Sequence, residues 1–184
     1  GGSELPDIPA EFTQLIGEED KITVIGRSDL APQVGFVDAF PVAAQDEMVR
    51  LARADGKIKM WPRHCPGVAS MARADSPNSA NSQFFLMFGD SRRGLDKSYT
   101  AWGWVVDGME HVLNIAPGEP PSRPDQIQSM RVAADVDPAE RASLQVMKTD
   151  SEAFADYLDA LGVGENGLIE DVCSVSVPVR KTPS

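Results

Sequence analysis

Apolar and polar positions exchange at short intervals along most of this chain, and turn residues punctuate them, which predicts many short strands rather than long helices. Lys21 to Ile25 alternates, is β-branched and ends at Gly26. Val34 to Phe40 is a second strand-like run, closed by Pro41. Met48 to Ala54 reads two ways: Met48, Val49, Leu51 and Ala52 would share one helical face, yet Asp55-Gly56 follows, and Ile58 and Met60 alternate after it. Asp-Gly between two such runs is a strong hairpin signal, and the hairpin is the preferred reading. Gly67 to Arg73 and Gln83 to Met87 read as buried strands around a polar loop, Ala74 to Asn81. Tyr99 to Val106 alternates large side chains before Asp107-Gly108 turns the chain. Met109 to Ile115 predicts one short helix, Ala116 to Asp125 holds four prolines and must be a loop, and Met130 to Val136 predicts another strand.

Beyond Val136 the pattern changes. Pro138 can open a short helix with Asp137 as its cap. Thr149-Asp150-Ser151-Glu152 has the form of a capping box, with Thr149 bonding the Glu152 amide and Glu152 reaching back. Phe154, Tyr157, Leu158 and Leu161 then fall at i, i+3, i+4 and i+7, with Gly162 where a C-cap belongs, so a helix over 150–161 is predicted. Asp171, Cys173, Val175 and Val177 would share one face of a final strand.

The 184 residues fit one domain, or one domain with an appendage. A hydrophobic share of 42% is enough for a core. The net charge of −11 repels phosphate backbones, and the densest basic cluster is only Arg92-Arg93 with Lys97 nearby, so nucleic acid is excluded as a partner. No apolar run approaches the ~20 residues of a membrane span, so no membrane insertion is expected. Gly1-Gly2-Ser3-Glu4 is neither a Met start nor a signal peptide. It reads as a tag scar, a processed terminus or the cut edge of a longer chain. Cys65 and Cys173 have no metal spacing, and His64 and His111 have no ligand partners at metal-site intervals, so no metal site is predicted. The cysteines are either two buried free thiols or one disulfide closing a loop of roughly 110 residues. The disulfide, which would pin the final strand of the extension to the strand that begins at Gly67, is the expectation carried forward.

Nucleophile and cofactor templates are missing. There is no Gly-x-Ser-x-Gly, no Walker loop and no Gly-x-Gly-x-x-Gly. The carboxylate pairs Glu18-Glu19-Asp20 and Glu170-Asp171 read as solvated turns. No cofactor is expected.

One segment stands apart: Gly67-Val68-Ala69-Ser70-Met71-Ala72-Arg73, then Ser76-Pro77-Asn78-Ser79-Ala80-Asn81-Ser82-Gln83-Phe84-Phe85-Leu86. It closely resembles the cyclophilin-type peptidyl-prolyl isomerases, whose hallmark is a Gly-x-x-Ser-Met-Ala strand, a Pro-Asn-rich loop and Ser-Gln-Phe-Phe. The continuation fits: Leu95-Asp96, Tyr99-Thr100, Trp102-Gly103-x-Val105 and Gly108-Met109. Ile8-Pro9-Ala10-Glu11-Phe12 matches the Ile-Pro-x-Glu-Phe of bacterial members. The resemblance covers 1–12 and about 64–136, so 13–63 reads as a long insertion, and 137–184 as an α/β extension carrying the 150–161 helix and a final strand. The fold it implies is mainly β: a cyclophilin-like closed antiparallel barrel, incomplete in this chain.

Turning an X-Pro bond must overcome an amide barrier of ~18–20 kcal/mol. The catalyst needs no nucleophile, only an apolar cup and a few fixed hydrogen-bonding groups that favour the twisted amide over either planar form. Gln83 and Phe85 are two apart on a strand and so share a face. By resemblance Phe85 and Leu95 wall the proline pocket, Gln83 holds the substrate backbone, Ala72 and Arg73 line the adjoining groove, and Tyr99 stands where many relatives have His. Phe84, Leu86 and Met71 are expected to be core. Read without the resemblance, Gln83 would be a satisfied buried amide.

Two departures bear on activity. The family's N-terminal half, with its Phe-His-Arg motif, has no match here. None of Arg63, Arg73, Arg92 and Arg93 inherits the role of that arginine, so no catalytic residue is assigned. Gly94 replaces the aromatic common just before Leu95. Two accounts follow: the chain is a piece whose partner is a separate N-terminal segment of the same domain, or the insertion supplies replacement strands. Two functions follow as well, an isomerase acting on proline-containing segments, or a cyclophilin-like binding or scaffold module. A disulfide would point to the periplasm or secretion, with the cytoplasm as the alternative.

Overall fold

Antiparallel pairing organises the chain into three separate sheets, and the computed structural model describes them over residues 3–28, 31–89, 92–163 and 171–182, with backbone alone for Arg92 and Arg93. Gly1, Gly2 and Glu170, which figured in the sequence reading, lie outside these residues.

Residues 13–63 build the largest sheet. Its strands are β1 (Gln14–Ile16), β2 (Thr23–Ser28), β3 (Ala31–Val37), β4 (Phe40–Ala44) and β5 (Ile58–Pro62), in the order β1-β5-β4-β3-β2. The predicted 34–40 run is therefore a strand, a turn and the start of another strand. Asp38 and Ala39, with φ of 46° and 67°, make the two-residue turn whose twist matches a hairpin. Asn-Gly usually fills that turn. Here the Ala39 amide donates to the Thr149 hydroxyl oxygen at 3.3 Å, so the far end of the chain stabilises it. Gly35 is required for a different reason: a Cβ there would lie 2.1 Å from the Thr23 carbonyl oxygen on β2.

The preferred hairpin around Asp55-Gly56 does not form; helix α1 (Glu47–Ala52) precedes β5 instead. Local and long-range bonds both favour the helix. The Asp46 carboxylate caps the Met48 amide at 2.8 Å, and the buried Arg50 guanidinium donates to the carbonyls of Ile16 and Gly56.

A three-stranded sheet follows, β7-β6-β8, from β6 (Val68–Met71), β7 (Phe84–Leu86) and β8 (Ala101–Trp104), with α2 (Arg92–Leu95) and α3 (Met109–Val112) beside it. No strand of β1–β5 pairs with it, so the insertion forms its own sheet and supplies no replacement strands to a barrel. The predicted strand over 130–136 is absent. Residues 126–132 have no strand partner among the described residues, and Ala133–Asp135 is a tight helical turn. The prolines of 116–125 do form a loop.

In the extension, α4 (Glu152–Ala160) sits within the predicted range, but its cap is Ser151, whose hydroxyl oxygen accepts the Phe154 amide, not Thr149. Gly162, φ 72°, closes the helix as expected, with the Val163 amide returning to the Leu158 carbonyl. Pro138 opens only a turn. The predicted strand over 171–177 is instead a tight turn at Val172–Ser174, because the Asp171 carboxylate accepts the Cys173 amide and curls the backbone. A two-stranded ribbon ends the chain, β9 (Leu144–Val146) with β10 (Val179–Lys181).

Alternation sorts the core. Val34, Phe36, Ala43 and Trp61 on one face of the large sheet meet Val68 and Met87, Phe154 of α4, and Val172 and Val175. Val42, Ala44, Ile58 and Met60 face the other way, with Ile16. Cys65 and Cys173 are bonded within the first cluster, with their Cα atoms 5.1 Å apart.

Candidate active site

The two faces of the three-stranded sheet β7-β6-β8 have different surroundings. Met71, Phe84 and Leu86 lie on one of them, only half-buried, and the Phe84 ring meets the half-exposed Trp102 edge-on at 5.9 Å. The expectation that these three would be core is therefore not met. The large sheet and the extension pack on the opposite face, so it is Phe85 whose ring leans on the edge of the buried cluster, together with Leu95, Ala101 and Trp104.

Around Phe85 the expected residues converge. Its half-buried ring lies edge-on to Tyr99 at 5.8 Å and stacks on His64 at 6.5 Å. Leu95 and Tyr99 are one turn apart at the end of α2, where the Tyr99 amide donates to the Leu95 carbonyl at 3.1 Å. Gln83 lies one residue before β7 and is exposed, not a buried amide. Its carbonyl accepts the Ala72 amide at 2.9 Å, which brings the two sides of the expected groove together. Gly94 is exposed, and a Cβ there would meet nothing within 4 Å among the described residues, so this rim is open on their side.

Arg73 follows Ala72, and its guanidinium lies over two rings, 4.6 Å from the centre of Tyr99 and 5.6 Å from that of Phe12. Its Nε donates to the Ser98 carbonyl, and Nη1 to the carbonyls of Ala74 and Asp75. The polar loop after it is braced in turn. Asn78 accepts the Ala10 amide, and the isolated bridge of Ile8 to Ala80 ties the Ile-Pro-x-Glu-Phe segment alongside.

Behind the pocket lies a group that the sequence reading missed. Arg63 and His64 are fully buried and both engage Asp96, Arg63 Nη1 at 3.2 Å and His64 Nδ1 at 3.0 Å. Asp96 also accepts the His64 backbone amide. His64 Nε2 is 3.1 Å from the Ser70 hydroxyl, which donates to the Thr100 carbonyl at 2.9 Å. Ser70 is itself sealed from solvent, so Ser70, His64 and Asp96 form no nucleophilic triad; they fix Phe85 and the Leu95-to-Thr100 segment from behind. Asp96 sits inside the Leu95-Asp96 motif, but its partners His64 and Arg63 are 32 and 33 residues away, a separation that periodicity does not reveal.

The family model for cyclophilin-type peptidyl-prolyl cis-trans isomerases matches residues 7–132. A probable peptidyl-prolyl cis-trans isomerase of Brucella abortus (strain 2308) is 43% identical over 74 residues, covering 38% of this chain and 37% of its own length. A peptidyl-prolyl cis-trans isomerase of Arabidopsis thaliana is 32% identical over 82 residues, 45% of this chain and 32% of its own. The crystal structure of cyclophilin AquaCyp293 from Hirschia baltica superposes with a TM-score of 0.84 at 33% identity, over 97% of this chain and 66% of that one. That coverage takes in the large sheet and the extension, which this chain therefore shares with a cyclophilin. The chain spans little more than a third of the Brucella relative that it matches. On the family match and the structural likeness together, the chain belongs to the cyclophilin-type peptidyl-prolyl cis-trans isomerase family.

Proposed function

We propose that this chain carries the proline-binding side of a peptidyl-prolyl cis-trans isomerase acting on X-Pro bonds in exposed or unfolded polypeptide. The observation that carries the reading is the half-buried ring of Phe85, walled by Tyr99 and backed by the buried His64–Asp96 group, within a family of isomerases. In this reading the proline ring rests on Phe85 and Leu95, Gln83 offers its exposed amide to the substrate backbone, and Ala72 and Arg73 line the groove. Catalysis comes from holding the twisted amide better than the planar forms. Exchange-resolved NMR of a short X-Pro peptide tests it: line broadening that disappears in Phe85→Ala supports the reading, and an exchange rate equal to that of free peptide refutes it.

A binding module is the second reading, favoured by the burial of Arg63 against Asp96 and by the open rim at Gly94. Peptide binding without rate enhancement would select it. A partner goes with either reading: a segment of the same domain that covers Met71, Phe84, Leu86 and Trp102. The half-exposure of that face and the unpaired run 126–132, whose Ile127, Met130 and Val132 stand in solvent, support it. The disulfide supports a periplasmic or secreted location.

A further inference from the structure

Arg73 is a half-buried cation of the groove, and among the described residues no carboxylate lies within ion-pair distance of it. Arg50, Arg53 and Arg63 by contrast are each matched to Glu47, Asp55 and Asp96. Charges withdrawn from water are ordinarily paired, because their desolvation must be offset. At Arg73 three backbone carbonyls take up Nε–H and both Nη1 hydrogens, and two rings lie against the guanidinium. The two hydrogens of Nη2 are left over. A guanidinium fixed in this way forms a charge-assisted bond without losing rotamer freedom when it does so.

We propose that Arg73 is a specificity residue that selects an acidic side chain near the substrate proline. The inference rests on the isomerase or binding reading of the Phe85 pocket and names the substrate class that pocket takes. The geometry sets the spacing. Steps of 4.6 Å from the guanidinium to the Tyr99 ring and 5.8 Å from there to the Phe85 ring put the charge no more than about 10 Å from the centre of that ring, on which the proline rests. At ~3.3 Å per extended residue, that reach is two or three residues along the substrate chain. A substrate carboxylate there would complete the pairing that the chain itself leaves open.

The test is an NMR titration of the 184-residue chain with blocked peptides that share one Ala-Pro core and carry Glu, Gln or Lys two or three residues to either side of it. At one of those positions the Glu peptide binds about 10-fold tighter than its Gln counterpart, the size of a charge-assisted bond. Raising salt from ~0.05 to ~0.5 M shrinks the ratio, since the contact lies near solvent. Arg73→Gln equalises Glu and Gln peptides, and Arg73→Glu turns the preference toward Lys. Equal binding of Glu and Gln peptides by the unaltered chain overturns the proposal, as does a preference that ignores salt or survives in Arg73→Gln. Should no peptide bind at all, the Phe85 reading fails, and this inference falls with it.

Discussion

Opening the Cys65–Cys173 bond removes a covalent closure across 108 residues of chain. In the chain-entropy model a loop of that length restricts the unfolded state by an amount worth about 4.8 kcal/mol at 25 °C. The native state loses little by comparison. Phe154, Val172 and Val175 keep their places against Phe36, Ala43 and Trp61 whether or not the sulfurs are joined. The expected result is therefore a large fall in stability with a nearly unchanged fold. Urea unfolding with and without reductant, repeated on the Cys65→Ala/Cys173→Ala pair, should lower the unfolding free energy by about 4–5 kcal/mol, and the melting point by roughly 10–20 °C for a chain of this size. Amide exchange should keep the native pattern of protected strands under conditions where the reduced form is still folded. A difference below ~1 kcal/mol would refute the reasoning, because it would mean that the unfolded chain is not held by this closure.

Three further outcomes follow. Phe85→Ala, which strips the ring from Tyr99 and His64, should leave the protein folded and weaken binding of an X-Pro peptide at least about 10-fold, read by titration. Gly35→Ala should destabilise by about 2–3 kcal/mol in urea, since its Cβ would overlap the Thr23 carbonyl and β2 and β3 must part; a neutral result would show that the bulged β2 absorbs it. The Asp55 carboxyl should titrate at about 2, held below its ordinary 3.8 chiefly by the Arg53 guanidinium. A lowered folded-state pKa means that this contact helps the fold above pH ~4 and fades as pH falls toward 2. Carbon-detected NMR titration checks it, and Arg53→Gln should return the midpoint toward 3.8.

The sequence was most legible where local chemistry and tertiary packing agree. Phe154, Tyr157 and Leu158 lie on one helical face, and Gly162 takes the left-handed turn that ends the helix. Around the site, the family resemblance pointed to Phe85, Leu95 and Tyr99, and the structure sets the Tyr99 ring against Phe85 and its backbone amide on Leu95. The misreadings share a cause in long-range partners. Asp55-Gly56 carries a hairpin signal, but Asp46 caps a helix ahead of it, and Arg50 ties that helix to Ile16. Met130 to Val136 reads as a strand, yet such a run becomes one only where another backbone meets it. Phe84 and Phe85 could each have been the inward residue, and which one is depends on the large sheet, built from a segment the motif does not include. The Arg63–Asp96–His64 group was invisible for the same reason.

The main core has a consequence for how the chain is made. Phe36, Ala43 and Trp61 emerge early, but the side chains that cover them, Phe154, Val172 and Val175, are synthesised more than ninety residues after Trp61. At translation speeds of 5–20 residues per second, the apolar face of the large sheet waits roughly 5–20 s before Val172 exists to cover it. Contacts of such high sequence separation also form slowly once the chain is free. During that interval β2, at the open edge of the sheet, is a template for pairing with another nascent chain. The large sheet thus depends on residues more than ninety positions downstream of Trp61 to complete its cover.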